Sequence, residues 1–212
     1  MLPRHLLQLA ASAAFVLLLA PPAGADLPPV GNSTSPAFIH VVGSAAGVPD
    51  TVSGKFIVTL RDIANNPVAN AFVHVDFSGC ADIRIASNQL NPNYVVNCTN
   101  HTVGTFTNTE GIAALTVLGN SWFAGTYSGL VCARIYADGV LLSSPTVSTY
   151  DLDGAGGVTA GDLSAWLGDL GSGVYRGRSD YDGNGVVSAG DLSLWLVALG
   201  GNRSKVTGAS CP

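Results

Sequence analysis

Charge is the scarcest property of this chain: Asp, Glu, Lys and Arg together make up 11% of its 212 residues. Nine Lys and Arg stand against fourteen Asp and Glu, and the basic residues form no patch. Phosphate binding needs clustered cations, so nucleic acid is excluded as a partner. No CxxC or HxxxH spacing is present, which argues against a zinc site. His40, His74 and His101 lie far apart and make no metal pair. Catalytic signatures are missing as well. No GxSxG or Cys–His arrangement stands out, and Asp50, Asp62, Asp76, Asp82, Glu110 and Asp138 sit in no recognisable facing pair of carboxylates. The expectation is a chain that is not an enzyme.

The one long apolar run, Ala10 to Ala20, follows Arg4 and His5 and precedes Pro21-Pro22 and Ala23-Gly24-Ala25. A basic start, a short apolar centre and a small-x-small end read as a secretory signal peptide over 1–25. The run falls short of the ~20 residues a spanning helix requires. No later stretch reaches that length, so the expectation is an exported chain, extracellular or on a cell surface, without a membrane span. In that compartment four cysteines favour two disulfides. Of the three possible connectivities the spacing favours Cys80–Cys98, with Cys132–Cys211 tying the tail back to the larger domain.

Residues 26–36, rich in Pro, Gly, Asn and Ser, read as a linker. From 37 to 148 short strand signals recur every ten or so residues: Phe38 to Val42, Gly54 to Arg61, Ala71 to Phe77, Gly104 to Thr107, Ile112 to Leu118, Gly129 to Tyr136, Val140 to Ser143 and Thr146 to Tyr150. Asp138-Gly139 is hairpin-turn chemistry. Alternation puts Val73, Val75 and Phe77 on one face and Phe72, His74 and Asp76 on the other. A mostly β chain with an antiparallel sandwich is predicted. The segment 51–118, with Val58-Thr59-Leu60-Arg61-Asp62, Asn66-Pro67-Val68-Ala69-Asn70-Ala71, Asp76-Phe77 and Thr109-Glu110-Gly111-Ile112-Ala113, resembles bacterial immunoglobulin-like domains of surface and secreted proteins.

Seven of the fourteen acidic residues fall between 151 and 191, where their mutual repulsion calls for a cation. The reason for the clustering is a repeat: 151–171 reads DLDGAGGVTAGDLSAWLGDLG and 180–200 reads DYDGNGVVSAGDLSLWLVALG, in register without a gap. Each copy places Asp at positions 1, 3 and 12. Ca²⁺ takes six to eight oxygens, and a twelve-residue loop offers them from positions 1, 3, 5, 7, 9 and 12 with glycine at 6 for the sharp turn. In the second loop the predicted ligands are Asp180, Asp182, Asn184, the Val186 carbonyl, Ser188 and Asp191, turning at Gly185. In the first they are Asp151, Asp153, the Gly157 carbonyl, Thr159 and Asp162, turning at Gly156. Position 5 of that loop is Ala155, which has no side-chain oxygen, so two Ca²⁺ sites are expected and the 180–191 site binds more tightly.

Each loop leads into an apolar helical stripe, Leu163, Trp166, Leu167 and Leu170 in the first and Leu192, Trp195, Leu196 and Leu199 in the second. Gly171 and Gly200 are read as the residues that close the helices, and Val158 and Val187 as the contact between loops. Duplicated loop–helix pairs with no entering helix and Asp at position 12 resemble dockerin type I repeats over 149–201. That resemblance implies an EF-hand-like Ca²⁺ module that attaches its protein to a cohesin-like partner domain. Many such repeats carry Ser-Thr at positions 10 and 11, where the partner is met; here those positions are Ala160-Gly161 and Ala189-Gly190. Residues 202–212 form a tail. Three functions compete on this reading: attachment or display, recruitment of a carbohydrate-binding sandwich to polysaccharide, and a structural Ca²⁺ module docked on its own sandwich.

Overall fold

The computed structural model describes residues 31–122, 126–200 and 210–211. The leader at 1–25, residues 26–30 and most of the tail lie outside that range.

The chain is mostly β. Among the described residues twelve strands, β1 (Phe38–Val42), β2 (Ser44–Ala45), β3 (Val48–Pro49), β4 (Lys55–Thr59), β5 (Phe72–Asp76), β6 (Ile83–Ile85), β7 (Val95–Asn97), β8 (Thr102–Phe106), β9 (Ile112–Ser121), β10 (Arg134–Ala137), β11 (Val140–Ser143) and β12 (Thr146–Thr149), precede two helices. The helices are α2 (Ala160–Gly171) and α3 (Ala189–Gly200); α1 (Thr51–Gly54) is a single turn capped by Asp50, whose carboxylate accepts from Val52 N and Ser53 N. One five-stranded sheet runs β12-β1-β9-β4 with β6 also on β9, the other β11-β10-β5-β8-β7, and β2-β3 is a small ribbon.

Alternation works as expected along β5. Val73 and Val75 are fully buried with Phe77 just beyond, while Phe72, His74 and Asp76 are half-buried on the opposite face. The inner faces of both large sheets feed one core containing Ile39, Val58, Leu115, Val117, Val103 and Ile135, the arrangement of a sandwich. Asp138 (φ 45°) and Gly139 (φ 83°) form the two-residue hairpin between β10 and β11, in which Ala137 faces Val140. Both central residues have positive φ, as that tight turn demands.

The antiparallel expectation needs correction in one strand. β1 runs parallel to both its neighbours, pairing Phe38 with Thr146 and Val41 with Val117. Parallel partners need a long crossover rather than a hairpin, and the chain separating β1 from β9 and β12 supplies it. The second sheet is antiparallel throughout. The 26–36 linker also differs: Thr34 bridges Thr59, and Asn32 Nδ2 donates to the Asp62 carbonyl at 2.8 Å.

The disulfides are Cys80–Cys132 and Cys98–Cys211, with Cα separations of 4.7 and 4.9 Å. This overturns the pairing Cys80–Cys98 with Cys132–Cys211. Loop proximity in sequence misled; sheet neighbours decide. β10 pairs β5 with Arg134 opposite Asp76, so the chain just before β10 meets the chain just after β5 and brings Cys132 to Cys80. The tail does return to the sandwich, but against β6 rather than β10. Ser210 bridges Ala86 and Cys211 N donates to the Ile85 carbonyl, which leaves Cys98, beyond β7, as the partner in reach. Among the described residues no helix is long and apolar enough to cross a membrane.

Candidate metal centres

Both acidic loops close on themselves as their spacing predicts. Carboxylate oxygens of Asp151, Asp153 and Asp162 lie within 4.8 Å of one another, and so do those of Asp180, Asp182 and Asp191. In each triad the first and last Asp are buried and the middle one is exposed.

Local chemistry explains the closure. Asp162, at the start of α2, accepts from Leu152 N and Asp153 N through Oδ1 and from Thr159 N through Oδ2, at 2.6, 2.9 and 2.6 Å. Thr159 caps the helix reciprocally, accepting from Gly161 N. The second loop repeats the pattern: Asp191 accepts from Tyr181 N, Asp182 N and Ser188 N at 2.7, 3.2 and 2.7 Å. Asp151 accepts from Gly156 N and Gly157 N, and Asp180 from Gly183 N, Asn184 N and Gly185 N. Asn184 sits beside Asp182, its Nδ2 2.8 Å from Oδ2, and its Oδ1 accepts from Val186 N. The position-6 glycines Gly156 and Gly185 have φ of 90° and 88°, a region hostile to a Cβ.

These residues fit a metal ion. All donors are oxygens, suited to a hard cation, and Asp151 Oδ1 is buried without any hydrogen-bond partner, a costly state for an isolated carboxylate. Burial first, and then the carboxylates of Asp162 and Asp153, push the Asp151 carboxyl up to about 7. Burial also raises Asp162. Such carboxylates await positive charge.

Ala160, Gly161, Ala189 and Gly190 are exposed in the first turn of each helix. Gly161 serves the metal loop itself, because a Cβ there would stand 2.1 Å from Asp153 Oδ2. Val158 and Val187 are partly buried against a common core.

The apolar stripe is rotated from the predicted one. Trp166 and Trp195 are buried and Leu163 and Leu192 partly so, but Leu167, Leu170, Leu196 and Leu199 are 52, 43, 51 and 41% exposed. The buried arc instead runs Asp162–Trp166–Asp169 in α2 and Asp191–Trp195–Ala198 in α3. It starts at the position-12 carboxylate, which must point into the loop, and one helical face then follows at i+4 and i+7. Gly171 and Gly200 lie inside the helices; after α2 the positive φ falls at Gly173, 67°.

Several residues that hold the centres were not singled out from the sequence. Position 2 of each loop, Leu152 and Tyr181, is buried in a second core with Trp166 and Trp195, and with Val42, Ala86 and Leu118 of the sandwich. Tyr181 stacks on Tyr150 at 4.7 Å, and His40 stacks on Tyr150 at 5.4 Å. Position-4 glycines make the close approach: a Cβ on Gly154 would meet the Ser121 carbonyl at 2.7 Å, and one on Gly183 the Phe38 ring at 2.7 Å. Ser121 N donates to the Asp151 carbonyl at 2.8 Å, so β9 is wired into the first loop. The link between repeats is also built in. Arg178 holds Asp169 through Nε and Nη2 at 2.8 and 2.9 Å and donates to Ser121 Oγ at 3.1 Å, all buried. Tyr175 donates its hydroxyl to Asp180 Oδ2 at 2.7 Å. The signal available was repetition itself, since both loops carry an apolar residue at position 2 and glycine at position 4.

No protein-family model matches the chain, and no curated protein matches it significantly. Among solved structures, the Yersinia pseudotuberculosis adhesin InvE is similar at 19% identity over 60% of this chain and 29% of that one, with a TM-score of 0.25.

Proposed function

We propose that residues 149–201 are a paired Ca²⁺ module whose loops, once filled, lock two loop–helix repeats onto the sandwich of an exported, non-catalytic protein. The observation that carries this reading is the pair of triads, each with carboxylate oxygens gathered within 4.8 Å, one of them leaving a buried oxygen of Asp151 unpartnered. Ca²⁺ suits an all-oxygen, twelve-residue loop better than Mg²⁺, which resists full dehydration.

The bound ion supplies the positive charge that lets buried carboxylates stay ionised side by side. The chain's own residues do the rest. Asp162 and Asp191 tie the first turn of each helix back to positions 2, 3 and 9 of its loop, so filling a loop fixes the helix that leaves it. Fixing the helices presents Trp166 and Trp195 to Leu118 and Val42, while Ser121, Asp169 and Arg178 hold the junction. Ion binding is thereby coupled to docking.

Attachment to a cohesin-like partner, as the dockerin resemblance implies, is a second reading with its own support. Leu167 and Leu170 of α2 and their counterparts Leu196 and Leu199 of α3 are exposed alike, and paired apolar surface of this kind suits a protein partner.

Calorimetric titration of the full chain with Ca²⁺ tests the main reading. Two sites are expected, the tighter lost in Asp180→Ala and the weaker in Asp151→Ala. Absence of binding heat in the unsubstituted chain refutes it.

A further inference from the structure

The two repeats agree at the metal positions and the buried tryptophans, yet part company along one face of the helices. Where α3 carries Leu194, Val197 and Ala198, α2 carries Ala165, Gly168 and Asp169. Metal binding does not require this difference. Its effect is to hollow the surface: a cavity of about 550 Å³ opens over α2, floored by Gly161, Ser164, Ala165 and Gly168 and walled by Tyr127 and Arg176. A Cβ placed on Gly168 would meet nothing within 4 Å. The volume lies within the range of small-molecule sites.

The polar groups around this cavity are unevenly satisfied. Asp169 is consumed by Arg178, and Asp153 belongs to the metal triad. Arg176 lies over the Tyr127 ring at 3.6 Å, makes no ion pair with a carboxylate among the described residues, and keeps its Nε buried without a hydrogen-bond partner. Stacking fixes the plane of a guanidinium and leaves its N–H edge for a carboxylate. Ser164 adds a second uncommitted group. Its equivalent, Ser193, turns its hydroxyl onto the Gly190 carbonyl at 2.6 Å, whereas Ser164 Oγ takes no such partner among the described residues.

We infer that this cavity binds an acidic monosaccharide unit, with its carboxylate on Arg176, a hydroxyl on Ser164 and its ring laid on the small-residue floor of α2. The inference does not depend on which cation fills the loops. A carboxylate alone would satisfy Arg176 but leave most of the space empty; a neutral sugar would fill the space and leave the guanidinium unpaired.

The test is calorimetric titration of the full chain with D-glucuronate, D-glucose and inorganic phosphate, with and without Ca²⁺. Glucuronate is expected to bind in the millimolar range, and glucose and phosphate about tenfold more weakly or worse. Arg176→Met, which keeps the aliphatic stem, and Gly168→Val, which copies the second repeat into the open space, are each expected to weaken glucuronate by about tenfold or more. No glucuronate binding, equal binding of glucose or phosphate, or glucuronate binding unchanged in both variants overturns the inference. Failure of Ca²⁺ to bind while glucuronate still does would count against the metal reading alone.

Discussion

Asp151 is the residue on which charge, burial and the proposed metal binding meet. Its carboxyl, pushed up to about 7 by burial and by Asp162 and Asp153, holds a proton in the folded, metal-free chain at pH values where the unfolded chain has lost it. That contribution to metal-free stability is present at low pH and disappears as pH rises through about 7. A cation at the first loop must displace that proton. The affinity of the first site is therefore expected to rise by up to about tenfold per pH unit from about pH 5.5 to 7 and then level off. Calcium titrations across that interval check it, and a pH-independent weaker site contradicts it. Arg178 gives a second residue-scale expectation. It is 2% exposed and pairs with Asp169, 4% exposed, so Arg178→Met leaves a buried carboxylate without its cation, still accepting from Ser179 Oγ at 2.6 Å. A loss of about 3–5 kcal/mol is expected in denaturant unfolding.

Each loop–helix element buries less of its helix than its leucine pattern suggests, and this can be weighed directly. Trp166→Ala is expected to cost about 3–5 kcal/mol by emptying the second core. Leu167→Ser, one residue along but 52% exposed, should shift stability by about 0.5 kcal/mol or less; equal losses in the two variants contradict the rotated stripe. The contrast shows what was legible in the chain. Metal-ligand spacing is local, fixed by one tight loop, and the structure gathers both Asp triads as the repeat predicts. Alternation along β5 and the Asp138-Gly139 hairpin are local too. The direction of β1, the partners of Cys80 and Cys98, and the face that α2 and α3 bury depend on contacts far along the chain. No period in the sequence reports them. Leu167 and Leu170 match a helical stripe as well as Ala165 and Asp169 fail to, yet the position-12 carboxylate sets the rotation.

At the scale of the whole molecule, β9 joins two cores. Leu115 and Val117 face the sandwich interior, Leu118 faces Trp166 and Trp195, and the strand is buried without interruption from Leu115 to Ser121. The two acidic loops rest on that strand and on the aromatic column of His40, Tyr150 and Tyr181. The sandwich is in turn cross-linked by two disulfides, one of which anchors the tail through Cys211. Filling the loops should therefore stabilise the chain well beyond residues 149–201. Free Ca²⁺ at a thousand times Kd adds about 4 kcal/mol per site, about 8 kcal/mol for the two, which in a chain of this size raises Tm by roughly 16–32 °C. Scanning calorimetry of the full chain with excess Ca²⁺ and with a chelator measures this directly: a single transition is expected to move up by that amount when the ion is present, and superimposable traces in the two conditions would contradict ion-coupled docking.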